Sequence, residues 1–509
     1  MILIELTAAI DSDGTEQKFY FATEGYQSGP TDSPPNVAFD NAIADPGYIG
    51  QSAFSDGKTE GASSLEVGEI VILNGDGDFD IWATYSFDGR PLRIRRGQGG
   101  AYPTDFEDVF AGTVASVTVT LDKVVVSIRE KSAIMDVPVL TTTYAGTNVG
   151  PVGLEGTSDD LKGQVKPRVY GRVLNIAPRP ANSSKRTFQV SDRAVAAIPK
   201  VYDRGVELTP GADYATSALM TAASLTPGSA TFVTCLAEGL FRLSDDPDGI
   251  ITADVDEKST DEEMMVAPIL QRMCGDLALT DADLDDQVFA ELNADAPYVA
   301  GLWLSDQTTF REAFDMVAGS VGAWHGFDTA GVFQCEQLKE PAATPDFDII
   351  EAEVMNGFEH GVADRDGVPV WRVTVRYRKH WETQTTDLAG SVSTERRAAL
   401  AEEFRSVTAE DETVKHQFRQ AGELVVDTYL TSAVDAQAVA NRLLALHKVR
   451  RDLCEVPLNA EALDQDAMQV MSTGRLTHSR FGLSGGRNLR VLGRRLELGR
   501  DSIRLKMWG

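Results

Sequence analysis

The stretch GEIVILNGDGDFDIWATYSFDGRPLRIRRGQGGAYPTDFEDVFAG, Gly68 to Gly112, reads as strands bent around two tight acidic turns. Asn74-Gly75-Asp76-Gly77-Asp78 supplies the first turn and Asp88-Gly89 the second. Glycine tolerates the positive φ that short hairpin loops need, and Asn or Asp hydrogen-bonds within its own turn. By alternation Val71, Leu73, Leu92 and Ile94 point inward, which leaves Arg93, Arg95 and Arg96 for solvent or for a partner. This is the pattern of a β-barrel wall, and much of the chain repeats it.

Working outward, Ile2, Ile4 and Leu6 alternate, and Gly25 to Gly50 reads as a long loop rich in Gly, Pro, Asp and Ser, either functional or mobile. Val117, Val119 and Leu121 are followed by Val124, Val126 and Ile128, a hairpin over Asp122-Lys123 or a somewhat longer turn. A Gly-rich linker, Ala145 to Lys166, ends the first segment. Short strands then run from Pro167 to Val255, with a turn at Asp203-Arg204-Gly205. Thr260-Asp261-Glu262-Glu263 and Thr309-Phe310-Arg311-Glu312 match the capping box that starts a helix, the first with Pro268 signalling a late start or a kink. Phe310, Phe314 and Val317 share one helical face, and a hairpin follows over Asp328 to Gly331. Trp371, Val373, Val375 and Tyr377 alternate with arginines as a strand. Thr394 to Thr413 is charged and helix-permissive, Ser432 opens a helix, and Leu489 to Leu498 with Ile503, Leu505 and Met507 form a closing hairpin.

The fold class expected is mainly β with α+β insertions, in four domains: 1–157, an N-terminal β-barrel; 158–255, a small β domain; 256–345, an α+β domain; and 346–509, a second β-rich barrel domain with helices. A chain of 509 residues is too long for a single core. No apolar run reaches the length of a membrane span, and no export signal is recognisable at the start. The net charge of -30 argues against tight binding of nucleic acid, which requires phosphates to be neutralised. An acidic passage would instead keep a moving duplex from sticking. Against that background the end of the chain is basic, with Arg494, Arg495 and Arg504 among its cations and Glu497 and Asp501 as its acids. A basic end on an acidic chain suits an acidic neighbour, another copy of the chain included.

Nothing in the sequence assembles a catalytic or metal site, so no enzyme activity, cofactor or metal is expected. Cys235, Cys274, Cys335 and Cys454 lie far apart and read as buried free thiols. Gly482-Leu483-Ser484-Gly485-Gly486 fits G-x-S-x-G, but the residues after it read as strand, not the helix a nucleophile elbow needs. Asn74 to Asp80 alternates oxygen ligands as a calcium loop does, yet Phe79 and Tyr85 stand where glycine and glutamate belong. Asp245-Asp246-Pro247-Asp248-Gly249 lacks a completing glutamate in the same way. None of the six histidines pairs with another at helical spacing.

The order of pieces is more telling than any motif. GYQSGPTDSPP from Gly25, LNGDGDFD from Leu73, FDGRPLRIRRG from Phe87, VFAG from Val109, KPRVYGRV from Lys166, AAIPKVYDRGVELTPGADY from Ala196, PVWRVTVRYR from Pro369 and LGRRLELG with IRLKMWG at the end together resemble the tail-hub or tail-tip proteins of long-tailed bacteriophages. The resemblance implies two related barrel domains with further domains inserted, assembled as a homotrimer that gives pseudo-six-fold symmetry beneath the tail tube. It implies a virion protein whose partners are the distal tail protein, tail tube, tape measure protein and central tip or fibre, with DNA passing through the lumen. Arg90, Arg93, Arg95, Arg96, Arg494, Arg495 and Arg504 are the expected subunit or tail-protein contacts. A receptor- or carbohydrate-binding tail protein would cluster exposed aromatics, whereas the six tryptophans are dispersed, and a degradative spike would show β-helix repeats.

Overall fold

A computed structural model describes residues 1–54, 63–149, 152–362, 368–459, 467–500 and 502–509. Residues 150 and 151 of the expected linker and Asp501 of the basic end lie outside them. The architecture is mainly β, in several sheets, one of them a half-barrel, with most of the α-helix in the second half of the chain.

The N-terminal sheet has seven strands in the spatial order Glu16–Ala22, Ile2–Ala9, Pro91–Arg96, Glu107–Val119, Lys123–Arg129, Ile70–Leu73, Ile43–Asp45. Its layout corrects the hairpin reading of the decisive stretch. Ile70–Leu73 and Pro91–Arg96 do not pair with each other; two later strands lie between them, and residues 74–90 cross the end of the sheet. The crossing holds a short 3-10 turn, Asp80–Thr84, whose Trp82 packs among Phe19, Phe79 and Phe87 at ring separations of 4.8, 5.0 and 4.9 Å. The inward phase is also corrected. Ile70 and Ile72 are fully buried, while Leu73 is 54% exposed. Four apolar residues in a row leave a period of two without a phase. The cross-strand partners Val124 and Val126, themselves buried, set it. Leu92 and Ile94 do point inward. The hairpin of Glu107–Val119 with Lys123–Arg129 forms with the longer turn, closed by Thr120 N–H to the Lys123 carbonyl at 2.8 Å.

The C-terminal sheet runs Phe347–Ile350, Thr473–Thr477, Arg487–Glu497, Ser502–Trp508, Asp452–Asn459, Glu359–Val362. Two strands from the other end of the chain join it. Tyr48–Ser52 pairs antiparallel with Arg487–Glu497, and Ser64–Val67 pairs with Tyr48–Ser52. The segment read as one long loop, Gly25 to Gly50, is thus partly strand: Tyr26–Gln27, Ala38–Phe39, Ile43–Asp45 and the start of Tyr48–Ser52. The two terminal sheets bury one continuous apolar core, with Ile4, Leu6, Phe110 and Val126 from one and Val456, Leu476, Leu505 and Met507 from the other. At the end of the chain, Gly509 N–H donates to the Asp452 carbonyl at 3.1 Å.

Between these, Arg168–Ile176 lies in a five-stranded sheet flanked by Ile251–Asp256 and Gly301–Leu304, with Ala197–Asp203 next to Ile251–Asp256. A second five-stranded sheet packs on it through Val173, Val201, Val255, Phe232 and Phe241. The helices follow their sequence signals. Thr309 and Glu312 form the reciprocal capping box of helix Phe310–Gly319, which buries Phe310, Phe314 and Val317. Ser432 caps helix Ala433–His447 through the Val434 and Asp435 amides. Near Thr260 the helix starts late, at Val266, which puts Pro268 in the first turn where no amide is required of it. Thr394–Ala401 is helix, but Arg405–Glu410 is strand, pairing with Val370–Tyr377.

Candidate functional site

The N-terminal arginines stand on the strand Pro91–Arg96 and just before it. With Leu92 and Ile94 committed to the core, Arg93 and Arg95 project from the opposite face. That face is covered where Arg95 stands. The segments around Tyr26, Phe39, Tyr102 and Phe106 close over it as an aromatic cluster, with Tyr26 to Phe106 and Phe39 to Tyr102 ring separations of 5.1 Å each. The Arg95 guanidinium, 5.0 Å from the Tyr102 ring centre, bonds the Asp108 carboxylate at 2.6 Å and both the Glu5 carboxylate and the Tyr102 hydroxyl. Arg95 is 8% exposed, so it is enclosed by its own chain, not left for solvent or a partner. The others sit at the rim. Arg93 meets Asp108 at 3.4 Å with about half of its side chain in solvent, Arg96 meets Glu107 at 3.4 Å, and Arg90 meets Glu16 at 3.6 Å. Each cation of this row has a carboxylate from another strand of the sheet.

The C-terminal arginines are arranged differently. The face of the sheet that points away from the core is five strands wide here, from Ser64–Val67 to Asp452–Asn459. Glu66, Gly50, Arg495 and Arg504 stand in one row across it, and Ser64, Ser52, Gly493, Lys506 and Glu455 in the next. Glycines 50 and 493 leave the floor bare, and a trough of about 750 Å3 results, lined also by Arg494 and Glu497. Arg495 and Arg504 face each other directly, an unfavourable pairing of like charges. Glu497 offsets it at 2.7 Å from Arg495, and Glu455 at 3.5 Å from Arg504. Arg495 also lies over the Tyr48 ring, 3.5 Å from its centre. The side chains of Arg495 and Arg504 keep 42% and 51% of their surface in solvent. The charge imbalance at the end of the sequence signals this face; the contribution of Tyr48, Gly50 and Glu66 has no local signal, because it depends on a pairing between opposite ends of the chain.

The other motifs resolve into local structure. Asn74 is fully buried and works as a brace, its amide donating to Asp80 and to the Thr120 carbonyl at 2.9 Å each and its oxygen accepting the Phe79 amide at 2.9 Å. The Asp245 carboxylate accepts from the Gly228 and Ala230 amides and the Ser244 hydroxyl, which hold it below the usual carboxylate range. Gly482 to Gly486 lies between strands Thr473–Thr477 and Arg487–Glu497, so Ser484 sits on a strand-to-strand loop, not on an elbow leading into a helix. His325 bonds Asp315 at 2.8 Å, and His360 stacks on Phe481 at 4.8 Å. All four cysteines are buried free thiols, and burial pushes the Cys454 thiol up to about 11. Among the described residues no group of three or more His, Cys, Asp or Glu is placed to hold a metal.

No family model and no curated protein matches the chain. Solved structures overlap it loosely. A tail protein from Neisseria meningitidis MC58 covers 100% of this chain and 96% of its own at 9% identity and a TM-score of 0.44. A 43 kDa tail protein of prophage MuSo2 from Shewanella oneidensis covers 100% and 98% at 9% identity and 0.42. A chain of the virion of a native gene transfer agent particle covers 74% and 91% at 15% identity and 0.43. Identities this low with TM-scores under 0.5 describe a coarse likeness and do not carry function to this chain.

Proposed function

We propose that this chain is a structural protein of a phage tail tip or baseplate, a ring-forming hub adaptor that joins the tail tube and distal tail protein to the central tip or fibre. In this reading the two terminal sheets are the paired hub barrels, three copies form the ring, and tape measure and DNA pass through its acidic lumen. The observation that carries it is the trough across the C-terminal sheet. Strands from both ends of the chain build one rigid face whose projecting cations, Arg495 and Arg504, suit a carboxylate-rich neighbour on a protein of net charge -30. The run of sequence pieces from Gly25 to Gly509 that resembles tail-hub proteins points the same way. Arg93, Arg96 and Arg90 at the rim of the N-terminal sheet are secondary contacts.

The test is assembly. Mass determination of the purified chain or of isolated tails, with electron microscopy of the tail end, is expected to give three copies around the axis. Arg495→Glu with Arg504→Glu should leave a folded chain that fails to enter tails. A wild-type chain absent from tails, or a double variant that assembles normally, overturns the reading.

A further inference from the structure

The sheet containing Arg168–Ile176, Ile251–Asp256 and Ala197–Asp203 has two faces of opposite character. Val173, Val201, Ala253 and Val255 face the core. On the other face stand Thr252, Asp254 and Tyr202, with Asn175 beside them, an assortment that suits a solvated sheet face. Yet Thr252, Asn175 and Tyr202 are 0, 2 and 5% exposed. They are covered by the excursion between strands Val370–Tyr377 and Arg405–Glu410, residues 378–404, which leaves its own sheet, crosses to this one and returns.

Polar contacts hold most of the cover. Glu382 N–H donates to the Asn175 carbonyl and Ala389 N–H to the Arg204 carbonyl, each at 3.0 Å. Asp387 accepts from the Ile250 amide at 3.1 Å and pairs with Arg204 at 3.2 Å, while the Arg396 guanidinium lies 4.4 Å above the Tyr202 ring. The apolar anchorage has two points: Leu388, Val392 and Leu400 gather over Gly205, and Trp381 packs beside Trp303 and Tyr429 at ring separations of 6.1 and 5.7 Å. Beneath it, buried polar atoms go unpartnered. Among the described residues, neither amide atom of Gln384, itself 1% exposed, has a hydrogen-bond partner, and neither do Asn175 Oδ1, Thr252 Oγ1 and His380 Nδ1. Each such atom lacks a protein partner while the cover is closed and is open to water when it lifts.

We infer that residues 378–404 are a releasable strap, which lifts from the sheet as a local unit while the sheets stay folded, and that mild acid favours the lifted state. His380, 5% exposed, carries the acid response. Burial, then Arg378, Arg396 and Arg405 around it, push its imidazole down from 6.5 to about 4; a hydrogen bond to the Glu402 backbone acts weakly against them. Its amide donates to the Glu403 carbonyl at 2.7 Å, and Glu403 pairs with Lys379; Asp254 and Tyr202 are the titratable groups on the sheet side. Freed into water, His380 takes up a proton at its ordinary value, so acid draws the strap open between 6.5 and about 4. Asp254 acts in the opposite sense. Burial raises its carboxyl, which therefore binds a proton more readily under the strap than in water. We assign the sign to His380, and removing the Asp254 charge isolates its contribution.

Native-state hydrogen exchange on the full chain tests this at the Glu382 and Ala389 amides. After correction for intrinsic exchange, opening should rise about 30-fold between about pH 7.5 and pH 5, the linkage expected of one imidazole so displaced. The amides pairing Arg168–Ile176 with Ile251–Asp256 should stay protected. His380→Gln, neutral at both pH values, should abolish the rise, and Asp254→Asn should preserve or enlarge it. A rise shared equally by the sheet amides, no rise beyond intrinsic exchange, or a rise that survives His380→Gln overturns the inference.

Discussion

Replacing Arg95 and replacing Arg93 should have very different consequences, although they stand two residues apart on one strand and share Asp108. The side chain of Arg95 is 10% exposed and holds Glu5, 16% exposed, together with Asp108 and the Tyr102 hydroxyl. Arg95→Leu removes the cation at the centre of this group and leaves a nearly buried Glu5 carboxylate with the Tyr102 hydroxyl as a donor but, among the described residues, no ion-pair partner. Removing one partner of a buried pair costs about 3–5 kcal/mol, largely because the remaining charge is stranded. At roughly 2–4 °C per kcal/mol for a sizeable domain, the melting temperature should fall by about 6–20 °C. Arg93→Leu breaks a 3.4 Å contact between side chains 49% and 41% exposed, a pair screened by solvent whose loss should cost no more than about 0.5 kcal/mol. Thermal unfolding followed by circular dichroism separates the two. Glu5→Gln added to Arg95→Leu should restore part of the loss, since the stranded charge is then gone. Equal melting temperatures for the two single variants would refute the reasoning, as would a double variant less stable than Arg95→Leu.

Three further outcomes follow from particular contacts. Gly171 has φ +68° and an added Cβ would lie 2.1 Å from the Ala300 carbonyl oxygen, so Gly171→Ala should destabilise by more than about 3 kcal/mol and reduce soluble yield sharply, read by denaturant unfolding. Thr309→Ala removes the acceptor of the Glu312 amide in a capping box and should cost about 1 kcal/mol in the same assay. The four thiols are 0–1% exposed, with Cys454 raised to about 11, so a thiol-reactive chromophore at about pH 8 should label none of them until denaturant is added; stoichiometric labelling of the native chain would contradict their burial.

The parts of the fold legible in the sequence are those fixed by near neighbours. Capping at Thr309 and Ser432, the alternation of Trp371 to Tyr377, and the closing hairpin all depend on residues a few positions apart, and all form. The crossing of residues 74–90 was not legible, because a hairpin and a crossover use the same turn residues and differ only in which distant strand is hydrogen-bonded. The phase of Ile70 to Leu73 was lost for a related reason: with every position apolar, only Val124 and Val126 decide it. At the candidate surfaces, arginine alternation correctly separated Arg93 and Arg95 from the core, but alternation reports only which face a side chain leaves by. Whether that face is wet depends on Tyr102 and Phe39, which arrive from segments whose own sequence reads as polar loop. The same blindness hid the covered polar face over Thr252 and Tyr202.

The pairing of Tyr48–Ser52 with Arg487–Glu497 also constrains the order in which the molecule can be made. Ser52 Oγ approaches the Leu492 carbonyl across 440 residues of chain. At a synthesis rate of roughly 5–20 residues per second, the early strand waits about 20–90 s for its partner. During that interval Ile4, Leu6, Phe110 and Val126 have only half of the shared core to pack against. The N-terminal sheet therefore passes through a one-sided stage with an apolar face open to water, and productive folding depends on keeping that face from other nascent chains until the last strands close over it.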